Sequence, residues 1–293
     1  MPLSIPREEF MEKGHTACAG CGAALTMRYV LKALGPKSVV TIPASCWAVI
    51  PGEYPSISLD VPLVYTTFAS TGATISGIRE GLDSQGKEDY NVVGFAGDGG
   101  TADIGLQSLS AAMERGHNVL YIMYDNEAYM NTGIQRSGST PFGAWTTTTP
   151  VGSKRNYKRQ NKKSVSDIMI AQGVPYVATA TVAYPEDLER KISIAKSITG
   201  PKFMQILSPC PPGWYYNSAD TVKVSRLAVE TKVFPLYESI QGKLKVFKPS
   251  KILPVKEYLS LQGRFAHLNE DEIAEIQMAV DQRWEDLLKR EKQ

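Results

Sequence analysis

The chain has 293 residues and a mass of 32.1 kDa, with 43% hydrophobic and 21% charged residues, which is enough to bury a large core and excludes a disordered, collagenous or membrane-barrel chain. Lysine plus arginine number 32 against 30 acids, a net charge of +2, so no global field draws the chain to nucleic acid or to a membrane surface. No apolar run reaches the roughly 20 residues of a membrane span, and residues 1–14, with Arg7, Glu8, Glu9 and Glu12 and no apolar stretch, do not read as a secretory signal; a cytoplasmic chain is expected.

Strand and helix patterns alternate along the chain. The sequence predicts a helix over 23–34, strands over 38–43 and 63–68, a helix over 71–82, a strand over 91–96, a helix over 104–115, a strand over 118–124, a helix over 165–172, a strand over 176–182, a helix over 185–198 and a strand over 202–207. Several strands lack polar alternation, as strands buried on both faces do. The predicted fold class is therefore α/β, a mostly parallel sheet flanked by helices. Pro185 followed by Glu186 and Asp187 suits a helix start, because proline fits the first turn and acids favour its positive end.

Two stretches break the rhythm. Residues 127–164 are rich in Gly, Ser, Thr and Pro, and a loop that long inside a compact domain is usually functional. Beyond Pro212 the alternation stops, and Pro235, Pro249 and Pro254 punctuate an irregular arm ending in a charged amphipathic helix near 271–290. The expected division is a cofactor-binding domain over 1–212 and an arm over 213–293 that packs on partner subunits.

Four cysteines are present: Cys18 and Cys21 in a C-x-x-C, then Cys46 and Cys210. Disulfides are not expected in a reducing cytosol. The spacing leaves open a four-cysteine zinc site, an iron-sulfur cluster, a redox C-x-x-C or four scattered core residues.

The strand over 91–96 runs into Gly97-Asp98-Gly99-Gly100, and the next into Asp125-Asn126-Glu127-Ala128, with Asn131 just beyond. Loops at the carboxyl ends of neighbouring parallel strands form the ligand crevice. Glycines beside Asp98 let the backbone approach a phosphate, while the Asp98 carboxylate, the Asn126 amide oxygen and the Ala128 carbonyl are hard oxygen ligands of the kind Mg²⁺ prefers. Singly, each is a common turn; together, a strand apart, they point to a metal-bridged diphosphate.

GDG followed by this Asn resembles the thiamine diphosphate motif. The stretch DNEAYMNTG and the N-terminal GHTACAGCG are similar to the β subunit of the pyruvate-type 2-oxoacid:ferredoxin oxidoreductases, over residues 14–214. The resemblance implies a 4Fe-4S cluster on Cys18, Cys21, Cys46 and Cys210. It also implies Mg²⁺ and thiamine diphosphate at Gly97, Asp98, Gly99, Asn126 and Ala128, with Asn131 catalytic beside the thiazolium and substrate. Such an enzyme oxidatively decarboxylates a 2-oxoacid, here pyruvate, with CoA to acyl-CoA and CO₂, and passes electrons to ferredoxin.

The implied partners are an α subunit that supplies the Glu activating the aminopyrimidine ring, and γ and ferredoxin-like δ subunits or domains, in a dimerised hetero-oligomer. Alternatives are another 2-oxoacid (phenylglyoxylate, oxalate or branched-chain), a nonredox thiamine decarboxylase with structural zinc, and a noncatalytic zinc-bearing assembly subunit. Where some family members carry Glu two residues after the second cysteine, this chain has Ala23.

Other features read as structural. Lys154, Arg155, Lys158, Arg159, Lys162 and Lys163 crowd ten residues; a solvated loop is expected, with an acidic ferredoxin or a CoA phosphate as the functional alternative. Thr67, Ser70 and Thr71 follow a strand end, and Ser70 or Thr71 is expected to cap the helix there. His117 and His267 are expected to be structural, His15 to lie near the cluster without a catalytic role, and Trp47 to shield the cluster from water.

Overall fold

The structure is a computed structural model describing residues 5–152 and 157–293. Strands β1 (Ser38–Pro43), β2 (Leu63–Thr66), β3 (Asn91–Gly97), β4 (Leu120–Asp125), β5 (Tyr176–Thr181) and β6 (Lys202–Leu207) run parallel, and helices α1 (Gly22–Leu34), α2 (Thr71–Asp83), α3 (Leu106–Glu114), α4 (Val165–Ala171) and α5 (Pro185–Ser197) cover them. Every residue of β1, β4, β5 and β6 is buried, which is why their sequences show no polar alternation. Successive side chains leave opposite faces. Val93 and Phe95 pack under α1 and α5, whereas Val92 and Ala96 pack under α2, α3 and α4. Each such valine or phenylalanine contributes about 1.5–3 kcal/mol by leaving water.

The predicted elements agree with the observed ones to within a residue or two at most ends. The helix predicted from Ile104 is entered earlier, through a π-helical turn at Gly100–Ile104. Gly105 closes that turn, because a Cβ there would stand 2.2 Å from the Gly100 carbonyl oxygen. Single π turns of this kind occur mostly at functional sites. Ser70 sits at the N-cap of α2, but its hydroxyl meets the Thr66 and Thr67 hydroxyls instead of a helix amide. The capping expectation is corrected: a hydroxyl chain from the strand end competes for the serine.

Beyond Pro212 the chain is more regular than expected. A short helix α6 (Pro211–Trp214) is followed by α7 (Thr221–Glu230), β7 (Tyr237–Ile240), β8 (Lys243–Val246), α8 (Val255–Leu259) and α9 (Glu270–Glu291). β7 pairs antiparallel with β5, and β8 with β7, giving one eight-stranded sheet in the order β2-β1-β3-β4-β6-β5-β7-β8. Four-residue strands such as YESI and KLKV carry too little periodicity to read. Their turn, Gln241-Gly242 with φ of 50° and 79°, is the left-handed pair a tight hairpin needs. The amphipathic helix near 271–290 is α9, opened by a capping box between Asn269 and Glu272.

The sheet order places the site. β2 lies on one side of β1 and β3 on the other, so the chain reverses direction across the sheet at β1/β3, the position where ligands bind at the carboxyl ends of such sheets. Gly97 is level with Tyr124, and Asp125 with Leu207. The turns carrying Cys46, Asp98, Asn126 and Cys210 therefore leave the same edge side by side. Among the described residues no helix is long and apolar enough to cross a membrane.

Candidate functional site

Two adjoining cavities open at that edge. The first, of about 100 Å³, is lined by all four cysteines, Cys18, Cys21, Cys46 and Cys210, together with Ser208 and Pro209. The second, of about 140 Å³, is lined by Gly97, Gly99, Gly100, Ala128, Tyr129 and Phe68. Cys46, Asn126 and Asn131 line both. Two larger clefts, of about 500 Å³ each, lie at the amino edge of the sheet and under α9, and they hold none of the cysteines, Asp98 or Asn126. Chemistry, not volume, picks out the site.

The cysteine cavity is assembled by close backbone packing. Cys21 ends the N-terminal loop, and the Gly22 N–H donates to the Pro209 carbonyl at 3.1 Å. A Cβ on Gly22 would meet Pro209 N and O at 2.7 Å, and one on Gly20, whose φ is +70°, would meet Ser218 O at 2.2 Å. Glycine is needed at both places for the C-x-x-C loop to reach the Cys210 turn. Cys46 opens a 3₁₀ turn whose Trp47 is fully buried, set edge-to-face on Phe95 at 5.6 Å, with Phe95 stacked on Tyr124 at 5.1 Å. Each aromatic pair adds about 0.5–1.5 kcal/mol. Trp47 thus anchors the Cys46 turn from the core below and does not line the cavity, a correction to its expected place as a shield.

The thiols lie in surroundings that disfavour bare thiolates. Burial and the neighbouring cysteines push Cys46 up to about 12, and burial pushes Cys210 up to about 12 against a backbone N–H from Gly213. Burial also raises Cys21, although the Ala24 and Ala23 amides at the start of α1 favour its thiolate. Three buried thiols with this penalty, Cys21, Cys46 and Cys210, fit a positively charged group that takes them as thiolates. All four cysteines line this one cavity, while among the described residues no three His, Cys, Asp or Glu side chains are grouped closely enough to hold a metal ion.

The predicted oxygen ligands come together at the second cavity's wall, which Asn126 and Ala128 line with Asp98 buried behind them. The Asn126 amide oxygen stands 2.8 Å from Asp98 Oδ1 and 2.9 Å from the Ala128 carbonyl oxygen; with the amide turned over, Nδ2 would donate to both. These two contacts bring the Asp98 carboxylate, the Asn126 amide and the Ala128 carbonyl to one point, a set that offers hard oxygens to a cation once the amide turns its oxygen inward. Asp98 is fully buried, and the Ser137 hydroxyl donates to its other oxygen at 2.5 Å. Burial, then the nearby Asp125 carboxylate, push the Asp98 carboxyl well above the usual range. A divalent cation would offset both effects, so the donor set fits Mg²⁺.

The glycines around Asp98 also have a packing role. A Cβ on Gly99 would meet the Tyr129 ring at 2.5 Å, and one on Gly97 would meet Tyr124 Oη at 3.2 Å. Tyr129 donates to the Gly99 carbonyl at 3.0 Å and to Asp103 at 3.1 Å, which ties the two ligand loops together. Asn131 stands where the cavities meet. Ala23, the position of the missing Glu, lines the cysteine cavity instead of the oxygen-ligand one.

The long loop lies over this edge, and several of its contacts carry no signal in the sequence pattern. Ser139 donates to Asp125 at 2.9 Å and Thr140 to the Glu127 carbonyl at 2.7 Å. Lys162 bridges Asp125 and Glu127 at 2.6 Å each, and Arg264 reaches Glu127 at 2.6 Å. Lys158, Lys162 and Lys163 of the basic run are therefore held by buried acceptors instead of being solvated, whereas Arg159 is exposed as expected. Lys158 is buried on the Thr140 carbonyl at 2.5 Å, and Lys163 pairs with Asp103; Lys154 and Arg155 lie outside the described residues. These lysines turn inward because the strand ends present buried carboxylates and carbonyls. Thr67, Ser70 and Thr71 do not line the second cavity, whereas Phe68 does. His117 pairs with Glu80 at 2.9 Å, away from the site. His15 accepts from the Ala17 N–H at 3.4 Å, His267 stacks beside Tyr157 at 5.3 Å, and neither lines a site cavity.

Comparison with known proteins agrees with this geometry. Residues 53–206 match the family described as thiamine pyrophosphate enzyme, C-terminal TPP binding domain. The chain is 52% identical to ketoisovalerate oxidoreductase subunit VorB of Pyrococcus horikoshii, over 98% of this chain and 95% of that one. It is 50% identical to pyruvate synthase subunit PorB of Methanocaldococcus jannaschii, over 96% and 97%. In fold it resembles 2-oxoglutarate:ferredoxin oxidoreductase from Magnetococcus marinus, with a TM-score of 0.60 at 20% identity over 94% of this chain and 97% of that one. The thiamine-binding match, the two sets of full-length relatives and the shared carboxyl-edge architecture together make this chain a thiamine pyrophosphate enzyme and a β subunit of the 2-oxoacid:ferredoxin oxidoreductase family, an oxidoreductase that works with partner subunits.

Proposed function

We propose that this subunit oxidatively decarboxylates pyruvate with CoA to acetyl-CoA and CO₂, with electrons leaving through a 4Fe-4S cluster to ferredoxin. When bound, thiamine diphosphate supplies the carbon nucleophile for the 2-oxoacid carbonyl, and the cluster supplies a one-electron acceptor. The observation that carries the reading is the shared wall of the two cavities, Cys46, Asn126 and Asn131.

The chain's own residues do the holding. Asp98, Asn126 and the Ala128 carbonyl would hold Mg²⁺, and Gly97 and Gly99 leave room for the diphosphate at the start of the π turn. Cys18, Cys21, Cys46 and Cys210 would hold the cluster, and Asn131, between the cavities, orients substrate. Among the described residues lining the second cavity there is no carboxylate to serve the aminopyrimidine ring, and an α subunit is assigned that role. The exposed edge strand β2, with Tyr65 46% exposed, is an open sheet edge of the kind a partner covers. Separate γ and ferredoxin-like δ chains carry electrons onward, and residues 213–293 add packing surface in a cytosolic assembly.

A second reading, a branched-chain 2-oxoacid, is favoured by the VorB relatives, which match as well as the PorB ones. The test is metal analysis of the anaerobically purified complex, followed by viologen reduction with pyruvate and with ketoisovalerate. About four irons and four sulfides per chain are expected, with pyruvate giving the higher kcat/KM. Zinc near one per chain without sulfide would sink the electron-transfer role, and preference for ketoisovalerate would replace pyruvate by the second reading.

A further inference from the structure

The residue after Asn126 has an unusual backbone. Glu127 adopts φ +66°, a left-handed conformation that costs a side-chain-bearing residue of order 1–3 kcal/mol, and it is only 3% exposed. Something must hold it there. Its Oε1 accepts from Lys162 and its Oε2 from Arg264, each at 2.6 Å.

Arg264 comes from the carboxyl-terminal segment, in the turn Gly263–Phe265, and is 2% exposed. Its guanidinium carbon lies 3.8 Å from the centroid of the Trp214 ring. Trp214 donates its ring N–H to the Asn126 carbonyl at 2.8 Å and its backbone N–H to the Cys210 carbonyl at 2.8 Å. One planar cation thus fastens the chain on both sides of Asn126: through Trp214 at its own carbonyl and through the Glu127 carboxylate at the next residue. Arginine is suited to this, because it stays charged when buried and its flat face stacks while its edge pairs.

We propose that Arg264 is a positioning residue for the cofactor-binding edge. It fixes the 126–128 backbone so that the Asn126 side chain and the Ala128 carbonyl present oxygens beside Asp98, and it braces the Cys210 turn through Trp214. The segment after Pro212 is then a working part of both cavities. This rests on the assignment of Asp98, Asn126 and Ala128 as cation ligands.

The test uses the assembled complex. Thiamine diphosphate binding is measured by equilibrium dialysis while Mg²⁺ is titrated, for the parent, Arg264→Met, Arg264→Lys, Glu127→Gln and Asp98→Ala. Arg264→Met is expected to raise the half-saturating Mg²⁺ at least tenfold and Arg264→Lys by less, since lysine keeps the charge and loses the stacking; saturating Mg²⁺ restores the parent's bound thiamine in both. Adding Arg264→Met to Glu127→Gln should change little further, because the first acts in part through the second. Parent-like Mg²⁺ dependence in Arg264→Met and Glu127→Gln, with only a lowered thermal transition, would overturn the positioning role and leave Arg264 a packing residue. If Asp98→Ala itself keeps Mg²⁺-dependent binding, the ligand assignment fails instead.

Discussion

Adding a single methyl group at Gly22 should damage the cysteine cavity without touching a cysteine. The alanine Cβ would stand 2.7 Å from both Pro209 N and Pro209 O and 2.8 Å from the Ser208 carbonyl carbon. All three are backbone atoms, so no side chain can rotate away. Moving from 2.7 Å to ordinary contact at 3.4 Å requires a displacement of about 0.7 Å, and interiors packed at crystal density absorb little of it. The movement separates Cys21, adjacent to the substituted residue, from Cys210, adjacent to Pro209, and stretches the Gly22 to Pro209 hydrogen bond beyond 3.1 Å. Overpacking of this kind costs about 1–3 kcal/mol, a fall of roughly 2–10 °C in Tm for a chain of this size. Gly22→Ala in the anaerobically purified complex should therefore lose iron and sulfide, read by colorimetric analysis and by the cluster's visible absorbance. Gly77→Ala is the matched control: it lies in the exposed middle of α2 with nothing within 4 Å of its Cβ, so it should keep full iron and gain about 0.5–1 kcal/mol. Full iron and an unchanged Tm in Gly22→Ala would refute the argument that close approach at this glycine brings Cys21 and Cys210 to one cavity.

Asp98→Ala should abolish Mg²⁺-dependent thiamine diphosphate binding while iron content stays at the parent's level; binding as tight as the parent's by dialysis would remove Asp98 from the cofactor site. Cys210→Ala should lower iron per chain despite lying 164 residues beyond Cys46, and a full complement would drop it from the ligand set. A pH effect arises at the opposite edge of the sheet. Burial, then Arg79, lower Lys202 to about 8 from its ordinary 10.5, with its ammonium on Asn118 and the Ile198 carbonyl. Between those values the unfolded chain binds more protons than the folded one, so stability rises with pH. The rise is at most of order 3 kcal/mol, at roughly 1.4 kcal/mol per unit. Lys202→Met should flatten the parent's Tm increase between pH 8 and 10, and identical slopes in parent and variant would show that Lys202 is not the group responsible.

The sheet, its helices and the places of the GDG and DN loops at its carboxyl edge were legible in the sequence for a physical reason. Fully buried strands such as β4 and β6 need unbroken apolar runs, and ligand loops at strand ends need glycine and short oxygen-bearing side chains, so GDG and DN mark their own positions. The small additions to the sheet were not legible: β7 and β8 are four residues each, and Lys243 and Lys245 on an outer strand look like loop. The basic run misled because charge density predicts solvation only when no acceptors lie beneath it. Here the ends of β3 and β4 place Asp98 and Asp125 in the core with Glu127 beside them, and Lys162 is drawn in to neutralise them.

The same logic gives the carboxyl-terminal segment a role in the proposed cation site. A cation site built from Asp98, Asn126 and a carbonyl must hold like-charged oxygens close together before the cation arrives, and that arrangement repels itself. Burial, then the neighbouring carboxylates, push the Asp98 carboxyl well above its usual range, and burial pushes Asp125 up against the pull of Lys162, so a proton is one way to relieve the crowding. The backbone cannot respond that way. It has to be held from outside the crowded loop, by groups whose own energy does not depend on the cation. Trp214 and Arg264 meet that requirement because they are packed in a separate apolar cluster with Tyr258 and Phe265, far in sequence from either ligand loop. A motif search over contiguous residues cannot see such support, since Arg264 lies 137 residues from the carboxylate it holds.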